Sequence, residues 1–257
     1  MANRAHDVTQ ALIGAVRGVL REHRVTFDEF RAGSAFLMKT AEADEIMLMV
    51  DVFLSTTIVD VENENRKGSS ASIQGPYFLE GAPVVTDALA IMDDDKGSPR
   101  MIMRGKITDH NGDPVSNAVI DVWHSTAGGL YSGIHDNIPL KYYRGKIHTK
   151  DDGSYSVKSI LPVPYQIPNT GPTGELLEKH MGLHSWRPAH IHYWVQADGH
   201  RDIISQAYFE GGDYVDGDCC EGVGDDHILP EIVENGVRIM EYDFQLDQVV
   251  SSAQAAE

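Results

Sequence analysis

A mainly β fold is predicted, a β-sandwich preceded by an α-helical segment, and three features of the 257-residue sequence predict it. Apolar residues recur at three- and four-residue spacing only in the N-terminal part. From Arg100 onward the pattern becomes short runs with period two, the signature of half-buried strands. Between those runs lie His110-Asn111-Gly112-Asp113-Pro114 and Asp151-Asp152-Gly153, read here as hairpin turns.

Val8, Leu12, Ala15, Val16, Val19 and Leu20 form the stripe of a first amphipathic helix. Thr26 with Glu29 three positions later matches a capping box, opening a second helix through Phe27, Phe30, Ala35, Phe36 and Leu37 to about Thr40. A third is predicted over residues 43–61. Its run Ile46, Met47, Leu48, Met49, Val50, Val52, Phe53 and Leu54 is more apolar than one core-facing stripe requires, so burial on several sides, by a second copy of the chain, is expected. Asn65-Arg66-Lys67-Gly68-Ser69-Ser70 is a polar linker. The chain is thus divided into a helical dimerisation and linker region, residues 1–64, and a β-sandwich domain, residues 65–257, which the resemblance given below implies to be the catalytic one. Strands are expected over 101–108, 118–123, 154–160, 189–197 and 203–209. One helical interruption, Gly171-Pro172-Thr173 followed by residues 174–180, is expected to be capped by Thr173, and residues 251–257 to fray.

With 21 Lys and Arg against 39 Asp and Glu the net charge is −18, which repels nucleic acid and anionic membrane surfaces as partners. The apolar runs are too short to span a bilayer, the opening residues have no apolar h-region, and a cytoplasmic location is expected. Cys219 and Cys220 are adjacent and could pair only in a strained ring, so the thiols are expected to be reduced and no Cys-rich zinc site can be built.

The stretch richest in chemistry is Trp186-Arg187-Pro188-Ala189-His190-Ile191-His192-Tyr193-Trp194. On a strand, His190 and His192 face the same way and present two imidazoles at chelating distance, half of a metal site. The bland alternative puts one histidine in the core and the other in solvent, but shared facing and apolar flanks favour paired burial, which is costly for two unpaired imidazoles. No His-Glu-x-x-His helix is present, so further ligands must come from other loops.

Those loops carry a resemblance. Val122-Trp123-His124-Ser125, Gly128-Gly129-Leu130-Tyr131-Ser132, Tyr142-Tyr143-Arg144-Gly145-Lys146-Ile147, Ile160-Leu161-Pro162-Val163-Pro164-Tyr165, Gly171-Pro172-Thr173-Gly174 and Arg187-Pro188-Ala189-His190-Ile191-His192 stand in the order found in the intradiol ring-cleavage dioxygenases. The resemblance covers roughly residues 73–224 and extends to the helical segment. It implies a non-haem Fe(III) enzyme, one iron per subunit, opening catechols with O2 between the two hydroxyls to cis,cis-muconates. Carried over by position, it implies Tyr131, Tyr165, His190 and His192 as metal ligands, phenolate oxygens being hard donors that suit Fe(III). Tyr165 would also leave the metal and accept a substrate proton, while Arg187 and Gln206 would stabilise charge on substrate carbon. The pocket walls by family position are Leu48, Asp51, Val52, Ile73, Gly75, Pro76, Tyr77, Cys219 and Cys220. Gly75-Pro76-Tyr77-Phe78-Leu79, the acidic Asp51 and the small Cys220 are most similar to the chlorocatechol 1,2-dioxygenase branch. The resemblance further implies a homodimer joined through the helices, with an apolar channel for a lipid-like molecule at the interface. Plain catechol and hydroxyquinol 1,2-dioxygenases remain alternatives that differ in the pocket walls. A non-catalytic sandwich binding module is the alternative of a different class.

Overall fold

A computed structural model describes residues 2–249; the expectation of fraying at 251–257 lies outside the described residues. Three helices come first: α1 (Ala2–Glu22), α2 (Phe27–Glu42) and α3 (Ile46–Asn63). The capping box opens α2 as predicted, with Thr26 Oγ1 accepting the Glu29 N–H and the Glu29 carboxylate accepting the Thr26 N–H at 2.7 Å. α3 starts later than residue 43 because Asp44 turns the chain at φ +58° in the left-handed region.

In the single chain, α3 is not buried on several sides. Val52 alone is fully buried, Leu48, Phe53 and Val59 pack partly, and Met47, Leu54, Ile58 and Val61 stand in solvent. α1 likewise exposes its stripe, Leu12, Val16 and Val19 included. Among the described residues no helix is long and apolar enough to cross a membrane.

The remainder is built on two five-stranded sheets and a short ribbon. In the first sheet, β1 (Arg100–Asp109) is central: β4 (Ser154–Ile160) runs antiparallel along one side, and β11 (Val237–Glu241) and then β12 (Phe244–Leu246) run parallel along the other, with β10 (Ile232–Glu234) at the edge. The second sheet has the order β3 (Arg144–His148), β2 (Val119–His124), β7 (His190–Gln196), β8 (Ile203–Phe209) and β9 (Ile228–Leu229). The ribbon pairs β5 (Tyr165–Gln166) with β6 (Trp186–Arg187).

The turn clusters do not make hairpins of the strands beside them. Asp109 accepts the N–H groups of Asn111 and Asp113 and closes a tight turn, yet β1 and β2 on either side belong to different sheets, as do β3 and β4 around Asp151-Asp152-Gly153. A turn residue fixes local chain reversal but not the sheet in which the next strand finds its partners.

α4 (Pro172–Glu175), continued by a wide turn over Leu176–His180, is also capped differently from the expectation. Its N-cap is Gly171, because Pro172 takes the first helical position, where a missing N–H costs nothing. Thr173 lies inside the helix, and its N–H is accepted by Glu45 Oε2 at 2.8 Å, a carboxylate from the residue preceding α3.

Alternation along β7 sets the position of the site. Ile191, Tyr193 and Val195 enter the core between the sheets, with Met101, Met103, Ile120, Val122 and Phe244. His190 and His192 therefore face the other side of the sheet, yet they are equally buried, because the loop through Ile73 and Tyr77 and the inner side of α3 cover that face.

Candidate active site

Strand register assembles the site. On β7–β8, His190 lies opposite Tyr208 and His192 opposite Gln206; on β2–β7, Trp123 lies opposite His192 and stacks on its ring at 4.7 Å. On the ribbon, Tyr165 lies opposite Arg187. Tyr131 comes from the loop after β2. Arg144 holds that loop by donating from Nε to Ser132 Oγ and from Nη2 to Ser132 O. Gly129 turns at φ +78°, where a Cβ would lie 2.9 Å from Tyr165 Cβ, so glycine is what lets the two tyrosine segments close on each other.

Four rings then form a closed circuit: Tyr131 to Tyr165 5.3 Å, Tyr165 to His190 5.5 Å, His190 to His192 4.7 Å and His192 to Tyr131 6.2 Å between centroids. The sequence-predicted quartet is brought together in one place. His190 Nδ1 donates to Pro188 O at 2.7 Å, which leaves its lone pair on Nε2, and that atom meets His192 Nε2 at 3.1 Å. Tyr131 Oη and His192 Nδ1 are buried without any hydrogen-bond partner.

Burial dominates the ionisation of all four. It depresses His190 to about 3 and His192 well below the ordinary value, with Arg187 adding to the first and His190 to the second. Both imidazoles therefore stay neutral and hold lone pairs ready. Burial raises both phenols, Tyr131 and Tyr165, above the ordinary value. A cation among them would reverse that preference, since a bound metal is the largest local charge. Buried phenols and imidazoles with unspent lone pairs aimed inward are a donor set that fits a hard, high-valent metal.

A cleft adjoins the quartet. Its walls include Leu48, Asp51 and Val52 from α3, Ile73, Gly75, Pro76 and Tyr77 from the covering loop, and Cys220, together with Tyr165 and Arg187. Cys219 does not line it: it is partly buried against the cluster, with its Sγ in contact with that of Cys220 at 3.8 Å, and Cys220 is the one that reaches the cleft. Sequence reasoning missed two wall residues. Ser55, one helical turn after Asp51, donates to its Oδ1 at 3.0 Å, and Ile167 is two positions after Tyr165 on the same side of the ribbon.

Arg187 and Gln206 are both fully buried and in contact, Arg187 Nη2 donating to Gln206 Oε1 at 3.0 Å. Gln206 Nε2 donates to Ile73 O, which ties this pair to the covering loop. Two further partners were not foreseen. Tyr208 Oη lies 2.9 Å from Arg187 Nη2, and its place two residues after Gln206 is the period-two signal that could have found it. Asp218 forms an ion pair with Arg187 at 2.8 Å, from an irregular loop whose sequence carries no motif for it.

Comparison with known proteins decides the family. The dioxygenase family model matches residues 73–248, and the model of the catechol dioxygenase N terminus matches residues 2–70. The chain belongs to the intradiol dioxygenases. This dioxygenase is 49% identical to the chlorocatechol 1,2-dioxygenase of Pseudomonas sp. (strain P51), over 96% of its own length and 98% of that protein. It is 50% identical to the Pseudomonas putida chlorocatechol 1,2-dioxygenase, over 96% of its length and 95% of that protein. The crystal structure of a chlorocatechol 1,2-dioxygenase from Pseudomonas putida superposes with a TM-score of 0.93, covering 96% of this chain and all of that one. The dioxygenase thus shares its helical segment, its sheets and its family with proteins matched over nearly their full length.

Proposed function

We propose that this dioxygenase opens chlorocatechol, and catechol, between the two hydroxyl-bearing carbons, consuming O2 and forming the (chloro-)cis,cis-muconate. The observation that carries this reading is the closed circuit of Tyr131, Tyr165, His190 and His192 beside a cleft walled by Arg187, Asp51 and Cys220. Those four residues would hold one ferric ion per subunit, and the ion would supply the Lewis acidity that ionises a catechol and makes its ring carbons reactive towards O2.

The chain's own residues divide the remaining work. Tyr165 lines this cleft and Tyr131 does not; Tyr131 packs against Tyr77 with ring centroids 4.5 Å apart and, with Tyr77 and Tyr165, lines a second cleft instead. Tyr165 Oη would therefore be the phenolic oxygen placed to take a substrate proton once a bound cation holds it ionised, while Tyr131 would stay a fixed ligand. Arg187 Nη1 faces the ring system as a donor for charge that develops during reaction, and Gln206 holds the guanidinium with its carbonyl. Asp51, held by Ser55, and Cys220 set the space and polarity offered to a ring substituent.

The helical segment, residues 1–64, is proposed as a dimerisation and linker region and residues 65–257 as the catalytic part. Support comes from the exposed Leu12, Val16, Val19, Leu54 and Ile58, a surface a second copy would cover. A channel for a lipid-like molecule is proposed at that interface, and the free thiols suit a reducing, cytoplasmic setting. The decisive experiment is iron analysis of purified protein with a panel of 3-chlorocatechol, 4-chlorocatechol, catechol and hydroxyquinol. Coloured ferric protein with its highest kcat/KM on a chlorocatechol is the expected result. A preference for hydroxyquinol or unsubstituted catechol reassigns the substrate, and a colourless protein that converts none of them leaves a binding module. Sedimentation at twice the chain mass and acyl chains in an organic extract are the expected marks of the dimer and its channel.

A further inference from the structure

Arg187 is held from one side. Its Nε donates to Asp218 Oδ1 at 3.0 Å and its Nη2 to Asp218 Oδ2 at 2.8 Å, a two-point grip between side chains exposed by only 3% and 1%. The same Nη2 meets Gln206 Oε1 and Tyr208 Oη. Nη1 is left with a single long contact, 3.4 Å to His190 Nε2, and so is the uncommitted edge of the fork, on the side of the four-ring circuit and in a residue that lines the cleft.

Asp218 is itself fixed by backbone. Its Oδ1 accepts the N–H of Cys220 at 3.2 Å and its Oδ2 the N–H of Gly222 at 3.1 Å, so four donors saturate the carboxylate. The loop presses on the guanidinium: a Cβ at Gly222 would lie 2.8 Å from Arg187 Nη2. An arginine side chain has several rotatable bonds, and without this grip the fork could rotate and offer either edge.

We infer that Asp218 is the positioning residue of the reaction: it locks the Nε and Nη2 edge of Arg187 and thereby presents Nη1 to the substrate. Asp218 makes no hydrogen bond to Tyr131, Tyr165, His190 or His192; its side-chain partners are Arg187 and the backbone N–H groups of Cys220 and Gly222, and its effect on kcat is assigned to the arginine. The inference rests on the ring-cleavage reading given above. Asparagine is the closest substitute in shape, but its amide places an N–H against donors that need an acceptor, so the two-point grip is lost.

The test uses the iron-loaded full chain and two substitutions in a cycle. Asp218→Asn is expected to keep its iron and visible colour, to lose about 30- to 100-fold in kcat and to move KM less than about threefold, because the oriented donor acts on charge that exists only in the transition state. In an Arg187→Gln background the same Asp218→Asn change should alter kcat less than about threefold. Equal losses in both backgrounds would show that the aspartate acts on something other than the arginine and overturn the inference, as would unchanged kcat in Asp218→Asn alone. Should Asp218→Asn fail to fold, Asp218→Leu combined with Arg187→Met removes both charges together. That variant must match Arg187→Met alone in kcat, and any larger loss counts against the inference. A parent that cleaves no catechol removes the underlying reading, whereas an active parent with an indifferent Asp218→Asn removes the inference only.

Discussion

Two groups of aromatic and imidazole side chains are buried on opposite faces of the same sheet, and their polar atoms behave differently. Between the sheets, Tyr155 Oη donates to Tyr242 O at 2.6 Å and Tyr242 Oη pairs with Ser205 Oγ at 2.8 Å. His124 at the end of β2 belongs to the same kind: its Nδ1 meets Ser125 O and its Nε2 meets Ser159 Oγ, both at 2.7 Å. On the other face, Tyr131 Oη and His192 Nδ1 have no partner, and the two Nε2 atoms of His190 and His192 face each other. Equal burial therefore accompanies opposite bookkeeping of lone pairs. What marks a site is several incompletely matched polar atoms aimed at one point, because each is costly where water is excluded.

Substitution of the histidines should separate the groups most strongly. His190→Ala and His192→Ala are each expected to lose iron, colour and all measurable turnover, while His124→Ala keeps the metal and loses only stability, about 1–3 kcal/mol for the two hydrogen bonds removed. Iron retained in both site variants, or lost in His124→Ala, would erase the distinction.

Tyr165→Phe tests it within the quartet. Three ligands should still hold iron, and kcat should fall about 100-fold for want of the proton acceptor. Gln206→Ala should cost a similar factor, about 3 kcal/mol of transition-state stabilisation, through the guanidinium it holds. A Tyr165→Phe variant as active as the parent would place the proton elsewhere.

Acid stability reads the other face. Burial lowers His124 from its ordinary 6.5 to about 4. Between those values the unfolded chain binds a proton that the native chain does not, so this residue's contribution is fully present above pH 6.5 and is lost as pH falls towards 4, up to about 3 kcal/mol. Denaturant titrations from pH 7 to pH 4 should show a shallower decline in His124→Asn than in the parent; superposable profiles would place the acid sensitivity elsewhere.

The smallest effect is expected at Tyr193. Its hydroxyl also lacks a partner, but its polar neighbours, Tyr155 and Tyr242, spend their own hydroxyls on Tyr242 O and Ser205 Oγ, so no set of unmatched atoms gathers there. Tyr193→Phe should change stability by less than about 0.5 kcal/mol and leave iron untouched, since removing a buried unpaired hydroxyl is close to neutral. A fall in iron content would mean that convergence is not the criterion.

How much of this was legible in the sequence depends on the range of each determinant. His190 and His192 could be read from period two alone, and the capping box at Thr26 from a four-residue window. Tyr131 and Tyr165 became candidates only through family motifs, because nothing local separates them from packing tyrosines such as Tyr155. Long-range determinants stayed hidden. The partner strand of β2 lies across the sandwich from its preceding turn, Thr173 receives its cap from Glu45, and Asp218 finds Arg187 across 31 positions. The apolar excess of α3 was visible, but a single chain leaves much of it in water.

That helix has two sides with different duties. Leu48, Asp51, Val52 and Ser55 look into the cleft, Met47, Leu54, Ile58 and Val61 look out, and Glu45 at its start is pinned to α4. A helix transmits rotation about its axis as a stiff rod, so a torque applied to the outer stripe reaches the substrate wall without passing through any flexible joint. The residues that wall the cleft and the residues left in water are thus carried on one rigid element, a single helical turn apart, and a change made to either stripe is a change to the same rod.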